Sequence, residues 1–161
     1  MSSFKKILVI LVIVAGVADM GLGTTFISIG ASKQDYLTDA MDQEQITLEL
    51  SDKQIAAGDV VDTAGEAQAV RDLVRKHRHE MGLYNQVLGG GQFDPNDPQQ
   101  LIYAQALNLE NYLYLAVASF GLVLVAIGAG VSMLITGIAL VLVGAWNLFG
   151  RRKREPAAGG V

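Results

Sequence analysis

Two long apolar stretches, residues 7–30 and 113–149, constrain this chain more than any other feature of its sequence. A bilayer's hydrocarbon core requires about 20 predominantly apolar residues in an α-helix, and both stretches are long enough. Hydrophobic residues make up 51% of the chain, and they are concentrated in these stretches, whereas a soluble core would spread them evenly. We therefore predict an integral membrane protein with a transmembrane helix near each end.

The distribution of charge predicts how the chain is oriented in the membrane. Lys5 and Lys6 precede the first apolar stretch, and the second is followed by Arg151, Arg152, Lys153 and Arg154. The segment between the two stretches contains fourteen acidic residues and only six basic ones. Short segments rich in Lys and Arg stay in the cytoplasm, so both termini are predicted to be cytoplasmic at the plasma membrane. The predicted segments are a cytoplasmic N-terminus (1–6), transmembrane helix 1 (7–30), an extracytoplasmic domain (31–112), transmembrane helix 2 (113–149) and a basic, disordered cytoplasmic tail (150–161).

The first apolar stretch also resembles a cleaved signal peptide. Lys5 and Lys6 would be its basic region, and Gly16-Val17-Ala18 would be a fair cleavage site. Apolar character continues to Ile29, well past that site, which favours a retained anchor.

The second apolar stretch is long enough for one crossing or for two short ones. Two crossings would leave Arg151–Arg154 outside and would require a turn within lipid, where no proline or Asn-Gly signal occurs. We predict one long helix instead. Asp97 is a suitable N-cap and Pro98 a suitable first residue, so the helix should run from about Pro98 to Leu148.

The segment between the apolar stretches has a mostly helical pattern. Residues 31–43 are predicted to extend the first helix, and Ala64 to Met81 shows helical spacing after the possible cap Thr63. Ile46–Leu50 alternates as a strand would, but an extended loop is as good an interpretation, and Gly89–Gly91 begins a turn. The predicted fold is an all-α membrane protein, an antiparallel two-transmembrane-helix hairpin with a small, mostly helical extracytoplasmic domain.

Glycines recur at seven-residue intervals in both apolar stretches. This period keeps one helix face towards a partner in a left-handed crossing, and small residues let helix backbones approach closely in a membrane. We predict that the two helices pack on each other here; the alternatives are a seam for another copy or protein, and compositional chance. The predicted packing residues are Gly16, Gly23 and Gly30 in the first helix and Gly130, Gly137 and Gly144 in the second, with Gly121 and Gly128 as a further pair.

Asp19 is the one ionisable residue deep inside a predicted crossing. A charged Asp at the bilayer centre costs about 2.5–3.5 kcal/mol on insertion scales, which makes it a functional-site hypothesis. In an antiparallel pair, Ser132 and Thr136 should lie at a similar depth, so a protonated Asp19 bonded to either is one interpretation. The second interpretation is that Asp19 pairs with a basic residue of a partner or transfers protons. The third is that it lies at a cleavage junction or at a polar interface.

Arg71, Arg75 and Arg78 share one face of the middle helix by their spacing. One interpretation is that this face contacts anionic lipid headgroups or an acidic partner. We favour the other interpretation, a solvated face whose charge is balanced by Asp72 and Glu66.

The sequence predicts neither an enzyme nor a metal or cofactor site. His77 and His79 point about 200° apart on a helix and cannot share one metal, and no nucleophile or phosphate-loop motif occurs. The acidic middle segment and the topology argue against nucleic-acid binding.

The order of several short motifs resembles a family of small two-helix actinobacterial membrane proteins, which often carry the label aromatic ring-opening dioxygenase. The motifs are Gly21-Leu-Gly-Thr-Thr, Ile46-Thr47, Ala57-Gly-Asp-Val-Val61, His77, Gly89-Gly90, Asp97-Pro98, Asn108, Asn111 and Phe120-Gly121. The resemblance implies the fold and the topology. The labelled activity needs an iron site with several His and carboxylate ligands, which two histidines on opposite helix faces do not supply.

These patterns lead to one functional hypothesis and two alternatives. The first is a non-enzymatic accessory or scaffold subunit of a membrane assembly, in contact with the lipid bilayer and with a membrane-protein partner or a second copy. The alternatives are an extracytoplasmic sensor or ligand-binding module, and a small oligomeric proton or ion channel that uses Asp19.

Overall fold

The computed structural model describes residues 3–48, 51, 53–54 and 58–149. Its main elements are helices: α1 (Ser3–Gln43), α2 (Ala64–Glu80), α3 (Tyr84–Val87) and α4 (Pro98–Phe149). Over the described residues the chain is all-helical apart from one isolated β-bridge, which confirms the predicted all-α class. The predicted basic tail (150–161), Glu49-Leu50 of the possible strand and Ala57 lie outside the described residues.

α1 and α4 are both long and apolar enough to cross a membrane. At 1.5 Å per residue they measure about 62 and 78 Å, against about 30 Å for the hydrocarbon core. Only 11% of the most apolar window of α1 and 17% of that of α4 is buried within the protein, so neither helix resembles the covered core helix of a soluble domain.

α4 begins at the residue that its capping pattern predicts. Asp97 Oδ1 accepts hydrogen bonds from the backbone N–H groups of Gln99 at 2.9 Å and Gln100 at 3.3 Å. These bonds satisfy donors that the first turn of a helix leaves free. The helix then continues without a break to Phe149, so the described chain has no turn that would divide 113–149 into two crossings.

The chain divides into two compact units. The first comprises Met1–Ser32 and Leu124–Val161, and the second comprises Lys33–Val123. In the described part of the first unit, α1 and α4 contact each other along glycines, and the geometry of these contacts is given below.

The second unit has its own small hydrophobic core. It is formed by the end of α1, by α2, by the first half of α4 and by the chain between α1 and α2, and Val61 and Leu113 are fully buried. The other buried members are Met41, Leu48, Ala67, Val70 and Ala116.

The segment that precedes α2 is extended and makes one antiparallel bridge, between Thr47 and Val60. Leu48 N–H donates to Asp59 O at 2.8 Å, and Val61 N–H donates to Ile46 O at 2.9 Å. The possible strand at Ile46 therefore finds a bridging partner later in the chain. The bridge stays isolated and places Leu48 and Val61 in the core.

Both ends of the α2–α3 region are formed as the sequence predicts. Thr63 and Glu66 make a reciprocal capping box at the start of α2. After α3, Gly89 and Gly90 have φ angles of +60° and +76°, which L side chains rarely adopt, so glycine is required for this turn.

Candidate functional site

The closest approach between α1 and α4 occurs at two pairs of glycines. A Cβ atom placed on Gly16 would lie 2.7 Å from Gly137 O, and one placed on Gly23 would lie 2.6 Å from Gly130 O. Residue numbers rise along α1 as they fall along α4, so the helices run in opposite directions here. No side chain fits between the backbones at either pair, which is the packing that small residues permit between membrane helices.

The two remaining glycines of the seven-residue pattern face isoleucines instead of glycines. Gly30 lies against Ile127 and Gly144 lies against Ile13, and a Cβ on either glycine would overlap the isoleucine side chain. All six predicted packing glycines are therefore buried between α1 and α4.

Gly121 and Gly128 have no neighbour within 4 Å where their Cβ atoms would be. On α1, a shallow concavity is lined by the small residues Gly21, Thr24, Thr25 and Ser28, together with Ile29. The hydroxyl groups of Thr24 and Thr25 donate to carbonyl oxygens four residues earlier in the same helix. These surfaces of the two helices carry small residues that the contact between α1 and α4 does not use.

Asp19, Ser132 and Thr136 are not joined by hydrogen bonds in the described structure. Asp19 is half-buried, while Ser132 and Thr136 are exposed. The Ser132 hydroxyl donates to Gly128 O at 3.0 Å, within its own helix. The predicted bond between Asp19 and a hydroxyl group of the facing helix is therefore absent from these residues.

In the second unit, Arg78 forms the most buried polar cluster. Its Nε donates to Glu110 Oε2 at 2.7 Å, its Nη1 donates to the Tyr103 hydroxyl, and the Arg78 residue is only 8% exposed. The hydrogen bond to the Glu110 carboxylate raises the pKa of Arg78 further, although burial opposes this. The cluster links α2 to α4 through a charge-assisted pair, which is stronger than a neutral hydrogen bond.

The other two arginines of the same face are placed differently. Arg75 Nε lies 3.9 Å from Glu110 Oε1, and its side chain is 56% exposed. Arg71 Nη2 lies 2.8 Å from Asp72 Oδ1, and the Arg71 guanidinium is 5.7 Å from the centre of the Tyr114 ring.

Arg75 is exposed, as a solvated face requires, but only 15% of the Arg71 side chain and 10% of the Arg78 side chain are exposed, so the interpretation as a solvated face does not hold for these two. Glu110, 32 residues away in the chain, is the main partner of Arg78, and no local spacing on α2 indicates it. Glu66 does not balance this face. It accepts hydrogen bonds from the Thr63 hydroxyl at 2.7 Å and the Thr63 N–H at 3.1 Å, because it completes the capping box.

Asp62 and Glu66 form a pair of interacting carboxyl groups at the start of α2. The pKa of Asp62 is raised, first by its hydrogen bond with Glu66 and then by burial. The pKa of Glu66 is pushed up by burial but lowered overall, because hydrogen bonds from Thr63 and Asp62 favour its ionised form. This pair serves the helix cap.

Two concave surfaces of the second unit are large enough to hold a small ligand. A groove of about 250 Å³ is lined by the apolar or aromatic residues Tyr84, Val87, Leu88, Phe93, Tyr103, Ala104 and Leu107 and by the amides Gln100, Asn108 and Asn111. A second concavity of about 440 Å³, the basic pocket, is lined by Arg71, Arg75, Glu110, Asn111 and Tyr114.

His77 and His79 are both exposed on α2. His79 Nε2 lies 3.3 Å from Arg78 Nη2. Within the described residues, no group of three or more His, Cys, Asp or Glu residues is arranged to hold a metal ion.

Comparison of the chain with protein-family models, with curated proteins and with solved structures finds no match. The resemblance to the two-helix actinobacterial family therefore stays a prediction. What is established is that the described part of the chain is all-helical and includes two helices that are able to span a membrane.

Proposed function

We propose that this protein is a two-span membrane protein that acts by association, as a non-enzymatic accessory or scaffold subunit of a membrane assembly. α1 and α4 form the spanning hairpin, both termini are cytoplasmic, and the second unit is extracytoplasmic. The observation that carries the proposal is the apolar surface of α1 and α4, most of which stays uncovered although the two helices already pack on each other.

The glycine contacts support the hairpin. Backbones that meet at Gly16–Gly137 and Gly23–Gly130 gain van der Waals contact along both helices, and this contact drives helix association where water is absent. The six glycines that lie between α1 and α4 are thereby used within the chain, so they do not themselves provide the surface for a partner.

The surfaces left over support association with another subunit. Gly121 and Gly128 on α4, and the concavity at Gly21 and Ser28 on α1, allow another helix to approach closely. Half-buried Asp19 has no basic side chain on α4 to pair with, and a polar residue of a partner helix would remove the cost of placing it in lipid.

Purification from native membranes in mild detergent tests this proposal. We expect the chain to be recovered with a second membrane protein or with further copies of itself. Gly128→Leu should reduce this recovery, because it fills an open helix surface, whereas Ala129→Leu adds bulk about 100° around the same helix and should not. A monomeric chain recovered alone would argue against an accessory role.

The topology is tested separately by thiol labelling, since the chain has no cysteine of its own. Gln92→Cys, in the exposed turn before α4, should react with a membrane-impermeant maleimide on intact cells. Ser3→Cys should react only after permeabilisation. The reverse pattern would place the second unit in the cytoplasm and overturn the orientation.

The aromatic groove favours a second candidate, an extracytoplasmic ligand-binding module. Tyr84 and Tyr103 lie with their ring centres 6.3 Å apart at this groove, and three amides add hydrogen-bonding groups to an apolar lining. Such a combination is typical of sites for small, partly apolar ligands. A rise in the thermal midpoint with an amphiphilic ligand, lost in Leu107→Trp, would support this role over simple association.

A further inference from the structure

The basic pocket carries an excess of positive charge that the protein itself does not neutralise. Glu110 Oε2 accepts a hydrogen bond from Arg78 Nε at 2.7 Å. Arg75 Nε lies 3.9 Å from Glu110 Oε1, which is too long for a hydrogen bond. Three guanidinium groups, those of Arg71, Arg75 and Arg78, thus face only two carboxylates, those of Asp72 and Glu110. Arg75 is the least matched cation, and its side chain is 56% exposed at the pocket.

Apart from Glu110, whose carboxylate is paired with Arg78, the other groups that line the pocket complement a bound anion. The Arg71 guanidinium donates to Asp72 on one side and lies 5.7 Å from the centre of the Tyr114 ring on the other. Asn111 and Tyr114 add an amide and a phenol, which are neutral hydrogen-bond donors. Planar guanidinium groups match the oxygens of a phosphate with two parallel hydrogen bonds, which makes arginine a preferred phosphate ligand.

We propose that the basic pocket binds a phosphate group, the chemistry shared by phospholipid headgroups and soluble phosphate esters. Arg71, Arg75, Asn111 and Tyr114 would contact the phosphate, while the lining carboxylate of Glu110 stays paired with Arg78. The lipid source rests on the proposed membrane topology. Asn111 and Tyr114 lie on α4 at the start of its apolar stretch, and the exposed residues Tyr114 and Leu115 suit a membrane–water interface. In that setting the pocket meets the headgroup layer.

Native mass spectrometry of the full-length chain in a neutral detergent tests the proposal. Phosphatidylglycerol, which is anionic, is added in one arm and phosphatidylcholine in another, and inorganic phosphate is titrated without lipid in a third. Arg75→Gln and Arg71→Gln are compared with Lys76→Gln, which removes the same charge from an exposed position on another face of α2. Far-UV circular dichroism checks that every variant keeps its helical content.

We expect phosphatidylglycerol to be retained over phosphatidylcholine and its affinity to fall about tenfold in Arg75→Gln, the loss of one charge-assisted contact. Arg75→Lys should restore part of the affinity, and Lys76→Gln should behave as the unmodified protein. If inorganic phosphate binds with the same dependence on Arg75 and the two lipids do not differ, the ligand is a soluble phosphate compound.

Equal binding of phosphatidylglycerol and phosphate by the unmodified protein and both arginine variants would overturn the proposal. So would an equal loss in Lys76→Gln, because the effect would then be one of net charge and not of this pocket. The phosphate arm needs no bilayer, since the pocket lies within the second unit. If the proposed topology were wrong, a lipid headgroup would no longer be the expected ligand, but the phosphate titration would still test whether the pocket binds phosphate.

Discussion

Alanine at Gly137 should separate α1 from α4, whereas alanine at Gly128 should not. The new Cβ of Gly137→Ala would lie 2.5 Å from Gly16 O, 2.7 Å from Met20 Cγ and 2.9 Å from Met20 N. Two of these three atoms belong to the backbone, so they cannot move aside as a flexible side chain would. At Gly128 the same methyl group meets nothing within 4 Å.

The expected cost follows from these distances. Non-bonded heavy atoms prefer a separation of about 3.5–4.0 Å, so the helices must part locally by about 1 Å to admit the methyl group. Overpacking of this kind costs about 1–3 kcal/mol. Both variants replace a glycine within the same helix, so any gain in helix propensity, at most about 1 kcal/mol in water, is similar in the two and cancels in the comparison.

The separation of the helices can be measured directly because the chain has no cysteine. Dyes on cysteines introduced at Ser3 and Asn147 would report energy transfer between the ends of α1 and α4 during titration from a mild detergent into a denaturing one. We expect Gly137→Ala to lose transfer at a lower denaturant fraction than Gly128→Ala. Identical midpoints for the two variants would show that the backbones do not meet at Gly16 and Gly137.

Three further predictions concern the second unit. Glu110→Gln removes the carboxylate from buried Arg78 and should lower the free energy of unfolding by about 1–3 kcal/mol, measured by thermal or chemical denaturation. Asp72→Asn, at the surface, should lower it less, because solvent screens an exposed ion pair. Thr63→Ala removes the α2 cap and should cost about 1 kcal/mol in the same assay. Glu66→Gln should lower the raised pKa of Asp62, because the hydrogen bond with Glu66 is its main cause, and carboxyl NMR titration would detect this. An unchanged Asp62 titration in Glu66→Gln would contradict the assignment of that hydrogen bond as the cause. In the unmodified protein the pKa of Glu66 is lowered, so the stabilisation that Glu66 gives is present above its unfolded-state pKa. This stabilisation is lost as the pH falls through the folded-state pKa.

Local signals in the sequence predicted most of the secondary structure. The start of α4 at Pro98, the capping box at Thr63 and Glu66, and the extension of α1 through Gln43 depend on residues within one helical turn of each other, or on a continuous apolar run. Such interactions repeat wherever the pattern occurs, so a single sequence is sufficient to identify them. The glycine spacing belongs to the same class, since a seven-residue period defines one helix face.

The sequence by itself determined two apolar helices, their caps and which glycines share a face. The tertiary structure decided the partners of those faces: Gly16 meets Gly137, Arg78 is buried against Glu110, and Ser132 bonds within its own helix without reaching Asp19. The physical reason is range. Capping and periodicity act between neighbours along the chain, whereas Arg78 and Glu110 are 32 residues apart, and their pairing depends on how α2 and α4 are brought together.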